Sequence, residues 1–170
     1  MVFIYGPPAV GKLTVGRLVA ERTGFKLLHN HLTIDAVAPI LGFRTPAFSR
    51  FLQRFRRDLI AAAAEADVDL VCTLVVAVGE EALVDELVAP YEGRITYVQL
   101  VASREELRRR VLADHRVAHG KIVDVETLDS LLDDFECFEP IPGRATVTLD
   151  TESISAEEAA GRIVALVGDD

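Results

Sequence analysis

Short apolar runs alternate along the chain with stretches whose apolar residues recur at helical spacing. VFIYG (2–6) is fully apolar and is closed by Gly6 and Pro7, the pattern of a short buried strand. From Gly11 to about Thr23, Val15, Leu18 and Val19 share one face, which predicts a helix. FKLLH (25–29) reads as a second strand. A longer helix is expected from Pro46 to Ala66, with Phe48, Phe51, Leu52, Phe55 and Leu59 as its apolar stripe. VDLVCTLVVAV (68–78) is β-branched and apolar on both faces, the mark of an interior strand. A helix from Glu80 to Leu87 ends before Pro90, and ITYVQLVA (95–102) is another buried strand. Ser103 and Glu106 are spaced as a capping box for a helix through Leu107 and Val111. Asp124 is placed to cap a helix carrying Leu128, Leu131 and Leu132. ATVTLD (145–150) is the last strand, and Ser155 with Glu158 opens a final helix bearing Ile163, Val164 and Val167. Strands alternating with helices, and apolar on both faces, predict a parallel sheet covered on both sides. Ligands of such sheets sit beyond the carboxyl ends of the strands, where Gly6, His29, Gly79, Ser103 and Asp150 fall.

Composition narrows the classes. A chain of 170 residues, half of them hydrophobic, can bury a proper core. Its net charge of −9 repels nucleic acid and anionic membranes at long range. Cys72 and Cys137 are too few for a disulfide framework and are expected as buried free thiols. MVFIYG has no basic, signal-like start, and the longest apolar stretch, around Leu70–Val78, is too short to span a bilayer. A soluble cytoplasmic protein is expected.

The strongest chemical signal is GPPAVGKLT, comprising Gly6, Pro7, Pro8, Ala9, Val10, Gly11, Lys12, Leu13 and Thr14. It sits between a strand and a helix, where a phosphate loop must sit. Its glycines let successive backbone N–H groups converge on one anion, the helix start adds partial positive charge, and Lys12 adds a full one. The hydroxyl that usually follows the lysine arrives one residue late, at Thr14. In this the loop resembles that of adenylate kinases, G-x-P-G-x-G-K-G-T, which also lack a hydroxyl directly after the lysine. The resemblance implies that Thr14 meets phosphate, that Leu13 packs inward, and that Mg²⁺ is held through phosphates and water with no direct protein ligand.

LLHNHLTID (27–35) resembles the acceptor segment of shikimate kinases, roughly F-L-D-x-D-x-x-I-E. Aligned so, His29 and His31 stand where two aspartates are usual, and Asp35 stands at the glutamate. The resemblance implies an acceptor site at His29, Asn30 and His31. A neutral imidazole can take a hydroxyl proton near neutral pH. Asp35, one turn beyond His31, is placed to meet it if a helix starts there. Arg50, Arg54 and Arg57 form a stripe that reads either as a solvated basic face or as acceptor-binding arginines like those of nucleoside monophosphate kinases. Arg108, Arg109, Arg110, Arg116 and Lys121 concentrate charge in a segment resembling the short lid of these kinases. That implies Arg116 acting on the transferring phosphoryl group and Arg110 supporting it. Thr151, after the last strand, is expected near the adenine.

The resemblance covers nearly the whole chain in order. It implies one domain, 1–170, with the three-layer P-loop fold, about five parallel strands in the order 2-3-1-4-5, an acceptor-binding insertion at about 30–66 and a lid at about 113–124. The expected activity is transfer of the ATP γ-phosphate to a small-molecule acceptor. Lys12, His31, Asp35 and Arg116 are the expected catalytic residues, ATP and Mg²⁺ the expected cofactors, and the state a monomer or homodimer. Two alternatives stand beside it: an ATP-binding regulatory protein that has lost its acceptor, and a polynucleotide 5′-hydroxyl kinase.

Overall fold

The computed structural model describes residues 1–112, 124–135 and 137–168. Its center is a five-stranded parallel sheet in the order β2-β3-β1-β4-β5, as expected. The strands are β1 (Val2–Tyr5), β2 (Lys26–His29), β3 (Leu70–Leu74), β4 (Thr96–Val101) and β5 (Thr146–Asp150). Among the described residues seven helices surround it: α1 (Lys12–Thr23), α2 (Asn30–Leu41), α3 (Pro46–Glu65), α4 (Glu81–Val88), α5 (Arg104–Leu112), α6 (Val125–Phe135) and α7 (Ala156–Val167).

The period-two alternation of a strand divides the core. Val2 and Ile4 face one side and pack with Val15, Val19, Leu107, Leu128 and Ile163, joining α1, α5, α6 and α7 to the sheet. Phe3 and Tyr5 face the other and pack with Ile60, Val84, Leu87 and Tyr91, joining α3 and α4. Each buried aliphatic side chain of this kind contributes roughly 1.5–3 kcal/mol relative to exposure. A third, small cluster of Val37, Phe48 and Leu52 holds α2 against α3. Both cysteines are free and buried, and burial pushes the Cys72 thiol up to about 12.

Three local expectations change. The apolar run 68–78 is strand only to Leu74. Its neighbors end there, since Tyr5 pairs Leu74 and His29 pairs Thr73, so the run outlives its partners. On α3 the buried face is Phe48, Leu52 and Ile60, while Phe51 and Leu59 lie exposed. Ser103 caps α5 by accepting from the Glu106 N–H at 3.2 Å, but the box does not close. The Glu106 carboxylate turns to Arg109 and Arg110, and the Ser103 N–H donates to Glu152 instead. The box at Ser155 and Glu158 is complete.

Candidate active site

The turn between β1 and α1 is a curled loop, and two of its glycines have physical reasons. A Cβ on Gly6, whose φ is 140°, would stand 2.2 Å from the Leu100 carbonyl oxygen of β4. Gly11 is the α1 N-cap with φ 100°, a conformation L side chains rarely adopt. No side chain caps α1, so the N–H groups of its first turn are aimed at the loop. Lys12 Nζ donates to the Gly6 oxygen at 2.8 Å and to the Pro7 oxygen at 2.6 Å, which lays its charge along the loop. These features fit a bound phosphate chain.

The loop borders two cavities. One, of about 310 Å³, is lined on the loop side by Pro8, Ala9, Gly11, Lys12, Leu13 and Thr14, and across from it by His29, Asn30 and His31. The other, of about 420 Å³, runs from Ala9, Gly11 and Thr14 to Arg110, Thr151 and Ser155. Leu13 therefore faces the first cavity, not the core. It sits in the first turn of α1, whose buried face is Val15, Gly16 and Val19.

Arg110 welds the second cavity together. Its guanidinium donates to the Val10 oxygen at 3.1 Å, to Thr151 Oγ1 at 2.9 Å, to the Thr151 oxygen at 2.6 Å and to Glu106 at 2.6 Å. Thr151 Oγ1 also donates to the Val10 oxygen at 3.0 Å. Thus α5 and the turn after β5 are tied directly to the phosphate loop. Glu106 is shared by Arg109 and Arg110, whose hydrogen bonds hold its pKa down at about 2.

On the first cavity's far side, β2 delivers His29 and α2 begins at Asn30. His29 Nδ1 accepts from the Leu32 N–H at 3.1 Å and caps α2. The neutral ring then carries its proton on Nε2. Asn30 Oδ1 accepts from Arg56 at 2.5 Å, and Arg56 Nε donates to Thr33 Oγ1 at 2.9 Å. Burial lowers the Arg56 pKa to about 10, so the guanidinium stays charged at neutral pH beneath the cavity floor.

No protein-family model matches this sequence, and no curated protein matches it. Solved structures do. A sugar kinase from Janibacter sp. HTCC2649 superposes with a TM-score of 0.72 at 20% identity, over 98% of this chain and 93% of its own. A gluconokinase from Sinorhizobium meliloti 1021 gives 0.59 at 21% identity, over 99% and 95%. A shikimate kinase from Acinetobacter baumannii, in complex with shikimate, gives 0.62 at 19% identity, over 99% and 92%. The fold is that of the P-loop small-molecule kinases.

Within this P-loop kinase fold the residues singled out in the sequence separate into groups. Gly6 to Thr14, Arg110 and Thr151 gather around the loop, while His29, Asn30 and His31 line the facing cavity. Asp35 does not join them. It lies exposed on α2, and the next inward position after His31 is taken by Ile34. Arg50 and Arg54 also miss the cavity: both are exposed on α3, with Arg54 stacked over the Phe51 ring at 5.4 Å. Arg57 pairs with Asp58 and Glu86. Arg116 and Lys121 lie outside the described residues, as does the expected lid but for Asp124.

Two cations escaped the sequence reading. Arg56 continues the buried ladder of Phe48, Leu52 and Ile60 at steps of four, and a charge on a buried stripe was the available signal. Arg17, on α1, lines the first cavity and has no such signal. Among the described residues no carboxylate lines either cavity.

Proposed function

We propose that this protein is an ATP-dependent phosphotransferase that moves the γ-phosphoryl group to a hydroxyl or phosphate oxygen of a small-molecule acceptor. The observation that carries this reading is one phosphate loop bordering two cavities that share Ala9, Gly11 and Thr14. The nucleotide phosphates follow Gly6–Thr14, with the base toward Arg110 and Thr151. The acceptor takes the side of His29, Asn30 and His31. The acceptor oxygen forms a bond to the γ-phosphorus as the bond to the β–γ bridging oxygen breaks, releasing ADP. A hydroxyl acceptor's proton passes to the imidazole of His31. His29 is unsuited to that task at Nε2, which already bears a proton while Nδ1 caps α2.

Asp35, exposed, is left out of the chemistry. Arg116 keeps, from the sequence alone, the assignment to the charge on the transferring group. Mg²⁺ supplies charge neutralization across the phosphates when bound. No carboxylate is among the described lining residues, so phosphate oxygens and water would hold it, and Thr14 borders both cavities. In this reading 1–170 is one catalytic domain, α2 and α3 form the acceptor-binding insertion, and the enzyme acts in the cytoplasm as a monomer or homodimer. No described helix is long and apolar enough to cross a membrane. A polynucleotide acceptor loses its support, because Arg57 is engaged by acids and Arg54 by Phe51.

The test is in two stages. Mg-ATP raises the thermal midpoint of the wild type. ADP release is then followed across hydroxy acids, sugars, nucleosides and nucleotides. Stoichiometric ATP binding without turnover on any acceptor would move the protein to the regulatory class.

A further inference from the structure

Resting on the phosphotransferase reading, we infer that the acceptor is an anion with an apolar, ring-sized body, held by Arg17, and not a neutral polyol. Three features of the cavity carry this.

The first is the balance of donors and acceptors. Polyols are gripped by ionized carboxylates, which only accept and so take several hydroxyl protons at once. No carboxylate among the described residues lines this cavity. Asn30 has committed its Oδ1 to Arg56, so it turns its NH₂ donors to other partners. His29 has committed Nδ1 to the Leu32 N–H, so its other ring nitrogen is a donor. His29 and Asn30 therefore meet oxygen lone pairs, and the taking of a hydroxyl proton is left to His31, which serves the reacting hydroxyl.

The second is Arg17. The chain has 27 acidic residues against 18 lysines and arginines, and eight of its fourteen described arginines pair with carboxylates. Arg17 has no carboxylate within ion-pair distance among the described residues, yet it is exposed and lines the cavity. A planar guanidinium there matches a carboxylate or phosphate in bidentate fashion.

The third is the rest of the wall, where Ile34, Phe43, Val75 and Leu131 outnumber the one hydroxyl of Thr73. Phe43 is 59% exposed and meets Phe48 in a T-shaped contact at 5.4 Å, so more than half of it remains open to a ligand. Such a surface rewards an apolar body more than a polyol's row of hydroxyls.

The experiment measures binding by calorimetry at saturating Mg-ADP. Mandelate and phenyl phosphate are the aromatic anions, mandelamide the neutral aromatic, gluconate the polar anion and glucose the neutral polyol. At least one aromatic anion should bind tenfold or more tightly than mandelamide, gluconate and glucose, and which one does so names the head group. Arg17→Gln should erase the preference over mandelamide, and Phe43→Ala the preference over gluconate. Tighter binding of glucose or gluconate, or no binding of either aromatic anion to the Mg-ADP complex, overturns the inference and leaves the phosphotransferase reading standing. Failure to bind Mg-ADP overturns that reading, and the inference with it.

Discussion

Replacing Gly6 with alanine tests the phosphate loop at its tightest point. The added Cβ would stand 2.2 Å from the Leu100 oxygen and 3.2 Å from its carbonyl carbon. Both atoms are backbone of β4, which is hydrogen-bonded to β1 on one side and β5 on the other. The sheet cannot yield, so the loop must. A left-handed conformation alone costs a non-glycine residue roughly 1–2 kcal/mol. Overpacking against a fixed neighbor adds roughly 1–3 kcal/mol. Gly11 is the internal control: its φ is also positive, at 100°, but a Cβ there meets nothing within 4 Å. Gly11→Ala should thus lose only the conformational share, about 1–2 kcal/mol. Gly6→Ala should lose about 2–5 kcal/mol, the sum of both terms. Urea denaturation gives the two stabilities, and titration with a fluorescent ATP analog gives the binding. Gly6→Ala should also weaken nucleotide binding more than tenfold, because the displaced loop no longer converges its N–H groups. Equal destabilization by the two substitutions would refute the steric argument.

Lys12→Ala should abolish the thermal shift that Mg-ATP gives the wild type, whereas Thr14→Val should weaken binding by only about 0.5–1.5 kcal/mol, one hydroxyl contact. Arg110→Lys should lower nucleotide affinity at least tenfold, since an ammonium cannot span Val10, Thr151 and Glu106 together; unchanged affinity would remove Arg110 from the site. Glu106 has a depressed folded pKa of about 2, set first by Arg109 and then by Arg110. Its contribution to stability is therefore complete above an ordinary glutamate pKa and is lost as pH falls toward 2, so the urea midpoint of Glu106→Gln should vary less than the wild type's over that acid range. Arg56→Met removes a buried charge together with its bonds, so stability should change by less than about 2 kcal/mol, while acceptor turnover falls at least tenfold at unchanged ATP affinity as Asn30 loses its anchor. Full turnover in that variant would make Arg56 a fold element only.

The sheet and the loop were legible because their signals are local. An apolar run, a glycine turn and a lysine at fixed spacing lie within a dozen residues of one another. What stayed hidden depends on rotation or on distant partners. Phe51 and Phe55 match the helical period of α3 as well as Leu52 does. Only the arrival of α2 decides that Leu52 is buried and Phe51 is not. The same rotation brings Arg56 under the cavity and leaves Arg50 and Arg54 outside. Asp35 fails for a related reason: a step of four from His31 keeps it near the cavity side, but Ile34 fills the inward position. The end of β3 depends on where β1 and β2 stop, which nothing within 68–78 reports.

The histidines of the first cavity take their surroundings from the same long-range arrangement. A chain of net charge −9 has no excess of cations to spend on anions, so position must do what amount cannot. Both cavities are free of lining carboxylates among the described residues, and Lys12, Arg17, Arg109 and Arg110 border them. The acids stand one layer back. Glu106 serves two guanidiniums with one charge, which fixes both while leaving a net positive face toward the second cavity. Around His29 and Asn30 the same economy is reached without a carboxylate. The Leu32 N–H occupies one ring nitrogen and Arg56 occupies the amide oxygen, so each residue is oriented by a donor behind it. Orientation from behind costs no reorganization when ligand arrives, which is the condition for a site that works by placement and charge. It also divides the labor between the histidines. His29 is fixed by the helix it caps and can only donate from its far nitrogen. In the proposed phosphotransfer, proton acceptance from a hydroxyl therefore falls to His31, the neighboring ring on the cavity wall.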